Sequence, residues 1–296
     1  MAVHHKPLDQ QVMVLTGASS GIGLCTAILA AERGARLVLV ARSENTLQSL
    51  VSQIESNGGE AIYVVADVAD REQMLHVAQA AVDQYGRIDT WVNDAGVSSY
   101  SRLDKISEAD SRRIFDTNFW GVVNGSLIAL PYLRKQGGAL INLGSEVSEE
   151  VVPLQGMYSA SKHAVKGFTD ALRIEIELLD KSPVSITLIQ PTAVNTPFPH
   201  NAKNYMDKEP KLPTPTIDPQ RVAEAILKAA TDGGRDIKVG LMAIVNTSAS
   251  KFLPSLGDRM AAMQAGRQQE DAPPRNPEGT LYKAGHAGRI YGHPPT

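Results

Sequence analysis

The sequence predicts an α/β protein with a single doubly wound domain, built on a mostly parallel sheet of seven strands with helices on both faces. Short apolar runs rich in β-branched residues alternate with longer segments of helical periodicity. Because these runs are nearly continuous, both faces of each strand should be buried. Right-handed crossovers then give a doubly wound sheet, in which ligands bind beyond the carboxyl ends of the strands.

Each element has its own signal. Compact apolar runs predict the seven strands, at residues 12–15, 37–40, 61–65, 90–92, 139–143, 184–189 and 237–245. Periodic segments predict helices at residues 24–33, 71–85, 108–133, 157–179 and 219–231, with a further helix that ends near residue 56. Gly58 and Gly59 stop that last helix, because glycine favours helix ends.

Composition limits the class of protein. Apolar residues make up 43% of the 296 residues and charged residues 21%, which is typical of a globular chain. The net charge of −3 argues against nucleic-acid binding through a broad basic field. The lone Cys25 excludes an intrachain disulfide, and no apolar run approaches the roughly 20 residues of a membrane span. Residues 1–11 lack the apolar core of a signal peptide, and no Cys/His/Asp cluster has metal-ligand spacing. We therefore expect a cytoplasmic protein with no metal.

Two proline-rich segments fall outside the alternation. Residues 195–219 follow a strand end, and a loop this long is usually functional. We predict a lid over the substrate there, within a catalytic domain of residues 1–265. Residues 266–296 are predicted to be an extended or disordered tail, with the alternative that Leu281, Tyr282, Ile290 and Tyr291 anchor it to a neighbouring surface.

A glycine-rich turn follows the first strand directly. Residues 16–23 read TGASSGIG, in which Gly17, Gly21 and Gly23 leave room for a diphosphate to approach backbone N–H groups. The next helix would point its N-terminus at the same anion. The alternative is a strand–helix turn that binds nothing, but its place after the first strand favours a dinucleotide site.

Arg42 is the candidate that selects the cofactor. The second strand ends at Ala41-Arg42-Ser43, with no carboxylate to bind a ribose 2′-hydroxyl. The guanidinium fork of Arg42 suits a 2′-phosphate instead. The sequence therefore favours NADP, with NAD possible and with an ordinary solvated arginine as the alternative.

Three polar side chains form the candidate catalytic group. Tyr158 and Lys162 are four residues apart at the start of a predicted helix and share one of its faces. An ammonium nearby favours the phenolate, so we expect a lowered tyrosine pKa and a usable acid/base. Ser145 follows the fifth predicted strand, where its hydroxyl could hold a substrate carbonyl. A surface Tyr/Lys pair is the alternative.

At this point the chain closely resembles the short-chain dehydrogenase/reductase family, from about residue 10 to about residue 240. The motifs stand in order: the turn at 16–23, Asp67-Val68, Asn93-Asp94-Ala95-Gly96, Asn118, Ser145 thirteen residues before Tyr158, Lys162, and Pro191 to Thr196. The resemblance implies a catalytic tetrad of Asn118, Ser145, Tyr158 and Lys162. It implies cofactor contacts from Gly17, Ser19, Ser20, Gly21, Ile22, Gly23, Arg42, Asp67, Val68, Asn93, Ala95, Gly96, Tyr158, Lys162, Pro191 and Thr196.

The implied activity is hydride transfer between NADP(H) and a small-molecule carbonyl or secondary alcohol. Tyr158 would be the general acid or base, Lys162 would lower its pKa and bind the nicotinamide ribose, and Ser145 would polarise the carbonyl. Asn118 would hold a relay water at a break in its helix. A homodimer or homotetramer is also implied. The alternative is a non-catalytic dinucleotide sensor or scaffold, since a fold does not dictate activity.

Three positions depart from the family pattern: Asp94 replaces an asparagine, Thr192 replaces a glycine, and Ser20 stands where NADP-using relatives often carry a basic residue. Of the other candidates, His163 should point away from Tyr158 and is interpreted as structural. Glu146, Glu149 and Glu150 are either a solvated loop or an acidic rim that disfavours anionic substrates.

Overall fold

The computed structural model describes residues 5–241, 243, 254–285 and 288–293. Nine strands are found in these residues: β1 (Val12–Thr16), β2 (Arg36–Ala41), β3 (Glu60–Val65), β4 (Thr90–Asn93), β5 (Ser99–Tyr100), β6 (Gly138–Leu143), β7 (Val184–Pro191), β8 (Lys203–Asn204) and β9 (Asp236–Val239). The helices are α1 (Gly21–Glu32), α2 (Glu44–Ser56), α3 (Arg71–Tyr85), α4 (Glu108–Phe115), α5 (Gly121–Gln136), α6 (Gly156–Arg173), α7 (Phe198–Asn201), α8 (Pro219–Asp232) and α9 (Pro254–Ala265).

Seven of the strands form one parallel sheet in the order β3-β2-β1-β4-β6-β7-β9. Val14 of β1 is in register with Val38 of β2 on one side and with Trp91 of β4 on the other. The strand order therefore reverses at β1, and the carboxyl ends of β1 and β4 flank the crevice in which such sheets bind ligands. The predicted doubly wound fold is confirmed.

Two apolar layers cover the sheet. Met13 and Leu15 pack with α1, α2 and α8 on one face, whereas Val14 faces α3, α5 and α6 on the other. Alternate residues of β1 therefore enter different layers, as the two-residue period of a strand requires. Both faces of β1 are buried, which explains why this strand is apolar without interruption up to Thr16.

The predicted strand at 237–245 is wrong in its second half. β9 ends at Val239, and Leu241 and Ala243 are helical, while residues 242, 244 and 245 lie outside the described residues. The reason is Gly240, whose φ of +101° turns the chain. A Cβ at this glycine would also lie 2.6 Å from Cγ2 of Thr192, so the turn needs glycine.

The two long predicted helices are interrupted. Residues Asp116–Trp120 form a π-helical turn between α4 and α5, and Ile174–Leu179 form another after α6. Helical periodicity does not mark such turns, which recur at functional sites. The short parallel pair of β5 and β8 and helix α9 were not predicted either. No helix in the described part of the chain is long and apolar enough to cross a bilayer.

Candidate active site

A deep cavity opens at the carboxyl ends of β1, β4 and β6. Most of the predicted site residues line it: Gly17, Ser19, Ser20, Gly21, Ile22, Arg42, Asp67, Val68, Ala95, Gly96, Ser145, Tyr158, Lys162, Pro191 and Thr196. The remaining three, Gly23, Asn93 and Asn118, stand behind this lining. The cavity thus joins the glycine turn and the Tyr/Lys/Ser group, which are separated by more than a hundred residues in sequence.

The glycine turn is shaped so that a backbone-lined cradle faces the cavity. Gly17 and Gly21 have φ of +76° and +56°, which favour glycine. A Cβ at Gly23 would lie 2.7 Å from a carboxylate oxygen of Asp94 and would collide with the Gly17 carbonyl. Helix α1 begins at Gly21, so its N-terminal dipole points into this cradle. The turn therefore fits a diphosphate, which needs close backbone approach and N–H donors.

Behind the cradle, Asn93 joins the strands. Its amide nitrogen donates to Asn142 Oδ1 at 2.8 Å and to Ser126 Oγ at 3.1 Å, and its Oδ1 accepts from the Trp91 indole at 2.9 Å. All four side chains are buried. The Asn93 side chain therefore holds β4 to β6 and α5 rather than lining the cavity.

Asn118 lies within the π-helical turn, and both the oxygen and the nitrogen of its side-chain amide are hydrogen-bonded to the protein. Its Oδ1 accepts from Val97 N at 2.8 Å, while Nδ2 donates to Val97 O at 2.9 Å and to Ser161 Oγ at 3.0 Å. The amide ties the loop after β4 to helix α6. It positions the helix that carries Tyr158 and Lys162.

The Tyr158 hydroxyl and the Ser145 side chain lie close enough to interact, and Ser145 acts to lower the pKa of the phenol. Ser145 is the second residue after β6, and its Oγ also accepts from Val147 N at 3.3 Å. Lys162 is buried one turn after Tyr158, with its Nζ donating to Leu143 O at 2.7 Å and lying 5.8 Å from the Tyr158 ring centroid. Three functional groups from β6 and α6 therefore meet in the cavity.

The pKa of Tyr158 is raised, which is opposite to the direction expected from the sequence. Burial is the largest cause, and the charges of Asp94 and Glu146 add to it, while the Ser145 side chain opposes it. The Lys162 ammonium is directed at the Leu143 carbonyl rather than at the phenol oxygen. The pKa of Lys162 is itself lowered to about 8 by burial, which Asp94 opposes.

Asp94 is an ionisable group that the family pattern does not predict. Its carboxylate lines the cavity and lies next to Gly23. Burial raises its pKa to about 7, against the opposing effects of Lys162 and of the Gly23 backbone N–H. Asp94 therefore changes its charge near neutral pH, next to the cradle and to Lys162.

The other departure, Thr192, is tied to the acidic segment. Its hydroxyl donates to Glu146 Oε2 at 3.0 Å, and its N–H donates to Val239 O at 3.1 Å. Glu146 lines the cavity, whereas Glu149 accepts hydrogen bonds from Gln190 and Lys238 behind it. Of the three glutamates, Glu146 is the one placed among the lining residues.

A mostly apolar wall faces Tyr158 at the substrate end. The Phe198 ring lies 5.4 Å from the Tyr158 ring, and Val152, Leu212 and Pro213 continue the wall. Gln155 and Ser98 are polar exceptions among these lining residues. The segment 195–219, which we predicted as a lid, supplies three of these side chains.

The adenosine end, at the end of β2, is lined in part by the C-terminal tail. Thr280, Ala284 and Gly285 contribute to the lining there. Arg42 donates to the Thr280 carbonyl at 2.5 Å and to the Leu281 carbonyl at 3.1 Å. No local sequence signal marks these contacts, because Arg42 stands more than 200 residues before the tail.

Comparison with known proteins agrees with this geometry. The model of the family described as short chain dehydrogenase matches residues 11–207, which is more than half of the chain. The chain belongs to the short-chain dehydrogenase family. The uncharacterized oxidoreductase YxnA of Bacillus subtilis is 41% identical over 285 residues, which cover 95% of this chain and 80% of YxnA.

Two solved structures resemble the chain. An alcohol dehydrogenase from the archaeon Thermococcus sibiricus, complexed with 5-hydroxy-NADP, is 27% identical with a TM-score of 0.67, covering 77% of this chain and 94% of its own. A short chain dehydrogenase/reductase from Burkholderia phymatum, in complex with NAD, is 25% identical with a TM-score of 0.72. The match covers 91% of this chain and 99% of that protein.

The protein is therefore an NAD(P)-dependent oxidoreductase of the short-chain type. The residues present fit a nicotinamide dinucleotide, because the glycine cradle admits a diphosphate at the helix N-terminus. The described residues contain no cluster of three or more His, Cys, Asp or Glu side chains arranged to hold a metal ion.

Proposed function

We propose that the protein transfers hydride between NADP(H) and a carbonyl or secondary alcohol, with Tyr158 as the proton donor in reduction. The observation that carries this proposal is that Tyr158, Ser145 and Lys162 line one cavity together with the glycine cradle. The bound cofactor supplies the hydride. The protein supplies position and the proton.

In this mechanism each side chain has a separate task. The Ser145 hydroxyl donates a hydrogen bond to the substrate oxygen and holds it beside the phenol. Tyr158 then gives its proton to that oxygen as the carbonyl becomes an alcohol. Lys162 contributes positive charge close to the phenol, and its bond to the Leu143 carbonyl fixes the ammonium in place.

The raised pKa of Tyr158 favours the reductive direction. A tyrosine kept protonated by burial is ready to donate at neutral pH, whereas alcohol oxidation needs the phenolate as base. The apolar wall of Phe198, Val152 and Leu212 supports a substrate whose carbonyl carries an apolar group. The acidic side chain of Glu146 at the same end disfavours an anionic one.

The choice of NADP rests on Arg42. It faces the cavity at the end of β2, where the adenosine ribose binds in sheets of this kind, and the preceding residue is Ala41 rather than an acid. Four other statements stay predictions from the sequence. They are a cytoplasmic location, a homodimeric or homotetrameric assembly, the domain boundaries at 1–265 and 266–296, and the proline-rich extension.

The test of the catalytic role is Tyr158→Phe, which removes the proton and keeps the ring. We expect loss of NADPH oxidation with a panel of ketones and aldehydes, with NADPH still bound as measured by its fluorescence. Tyr132→Phe is the matched control, because Tyr132 packs in the layer formed by α3 and α5. Near-full turnover by Tyr158→Phe would disprove the proton-donor role.

The test of the cofactor preference is Arg42→Asp. The carboxylate accepts from a ribose 2′-hydroxyl and repels a 2′-phosphate, so the ratio of kcat/KM for NADPH to that for NADH should fall. The two ratios are compared with one substrate under one set of conditions. An unchanged ratio would show that Arg42 does not set the preference for NADP.

A further inference from the structure

The described part of the tail lies along the predicted lid. Residues 268–285, here called the strap, are bonded to it through backbone groups. Lys211 N donates to the Gln268 carbonyl at 2.9 Å, and Asn204 N donates to the Pro277 carbonyl at 2.8 Å. Thr280 N donates in turn to the Asn201 carbonyl at 2.8 Å. The strap therefore follows the lid from Lys211 to Asn201 and arrives at the adenosine end of the cavity.

Leu281 anchors the strap at that point. Its side chain is fully buried against Val97 and Ile114, two residues of the protein body. Its carbonyl accepts from Arg42 Nη1 at 3.1 Å and from Arg113 Nε at 3.0 Å. One residue thus fastens the strap through apolar packing and presents an oxygen to two arginines.

These carbonyls fix the Arg42 guanidinium without neutralising it. An arginine has five N–H donors, of which two here bind the carbonyls of Thr280 and Leu281, so three are left for a ligand. The nearby carboxylate of Asp67 is paired with Arg113 at short distance. Arg42, Arg113 and Asp67 together carry a net positive charge beside the cavity. This charge favours the binding of an anion there.

We propose that the strap completes the site for the ribose 2′-phosphate of NADP, with Leu281 as the residue that positions Arg42. This rests on the proposed preference for NADP. A guanidinium already held in one orientation loses less conformational freedom when it binds a phosphate than a free surface arginine does. Releasing the strap should therefore weaken recognition of the 2′-phosphate more than binding of the rest of the nucleotide.

The experiment measures that difference on the full chain with two adenosine nucleotides. Titration calorimetry gives the Kd of 2′,5′-ADP and of 5′-AMP, which differ only in the 2′-phosphate and carry no nicotinamide. We expect the wild type to prefer 2′,5′-ADP, and Leu281→Ala to reduce that preference by about tenfold or more, because charge-assisted hydrogen bonds contribute on that scale. If Leu281 had only a structural role, Leu281→Ala would weaken the binding of both nucleotides by the same factor.

A second variant covers the case in which Leu281→Ala does not fold. Gly279 has φ of +57°, and a Cβ there would lie 2.6 Å from the Ala202 carbonyl carbon, so Gly279→Ala displaces the turn just before Thr280. Gly266→Ala is the matched control, because a Cβ at Gly266 meets open space. We expect Gly279→Ala to reduce the preference for 2′,5′-ADP over 5′-AMP, and Gly266→Ala to leave that preference unchanged. Thermal denaturation checks that each variant is folded.

The outcomes separate the two proposals. A folded strap variant that keeps the wild-type preference, or that binds 2′,5′-ADP more tightly, overturns the role of the strap and leaves the NADP preference standing. A wild type that binds both nucleotides equally overturns the NADP preference, and the strap proposal with it. Neither result bears on Tyr158, which is tested through the chemical step.

Discussion

Asp94→Asn tests the electrostatics of the site through the stability of the whole protein. Asp94 is ionisable at a position where the family pattern has an asparagine, and its burial raises its pKa from 3.8 to about 7. Asparagine has almost the same shape and keeps an oxygen that can accept from Gly23 N. The substitution therefore removes the charge and little else.

The size of the effect follows from the two pKa values. The unfolded chain releases this proton near pH 3.8, whereas the folded chain keeps it until about pH 7. Between those values the unfolded state binds fewer protons, so the free energy of unfolding falls by about 1.4 kcal/mol for each pH unit. The raised pKa thus contributes stability at low pH that is lost as pH rises through about 7, up to about 4 kcal/mol over the range.

Urea unfolding at pH 5, 6 and 7 measures this directly. Subtracting the wild type from Asp94→Asn cancels the titration of groups that Asp94 does not perturb. The difference should grow in favour of the variant by about 2 kcal/mol between pH 5 and pH 7, because the folded state has released half of this proton at pH 7. Asp104→Asn is the control, because Asp104 is exposed and its carboxylate pairs with Arg102 at the surface. A difference between Asp94→Asn and wild type that stays constant with pH would refute the assignment of a raised pKa.

Three further predictions concern stability and the reactivity of the buried thiol. A Cβ at Gly125 would lie 2.7 Å from the Trp91 indole nitrogen and against the Asn93 amide, so Gly125→Ala should lower the free energy of unfolding by about 1–3 kcal/mol. Gly167→Ala, in the middle of α6 with open space around it, should instead raise it by about 0.5–1 kcal/mol in the same urea titration. Burial raises the pKa of the Cys25 thiol to about 11, so at pH 8 only about one thiol in a thousand is ionised. Ellman's reagent should therefore react with native protein far more slowly than with protein in urea, and equal rates would contradict the burial.

The sheet could be predicted because its signals are local. Strands β1, β2 and β6 are largely apolar runs, and the helix between 71 and 85 is bounded by Asp70 and Gly86, which cap it. The final strand was predicted too long because apolar residues continue past Val239. What ends it is the positive φ of Gly240 and its fit against Thr192, a contact between distant residues.

The electrostatics of the site could not be predicted from spacing. The four-residue interval of Tyr158 and Lys162 gives a shared helix face, and from it we expected the ammonium to lower the phenol pKa. The structure shows the Lys162 ammonium held by the Leu143 carbonyl and the phenol desolvated beside Asp94 and Glu146. Burial and the sum of surrounding charges decide a pKa, and neither is visible in one interval along a helix.

The strap shows why composition alone is a poor guide to a proline-rich segment. Proline lacks an N–H and favours extended chain, so a proline-rich composition predicts a tail without regular structure. The same property leaves carbonyl oxygens as the polar groups such a segment offers, and donors from the body of the protein use them here. Asn204 N binds the Pro277 carbonyl, and Arg42 binds the Thr280 carbonyl from 238 residues away. An extended chain rich in acceptors is therefore well matched to a cleft whose rim carries arginines, and that match depends on the fold rather than on any motif within the tail.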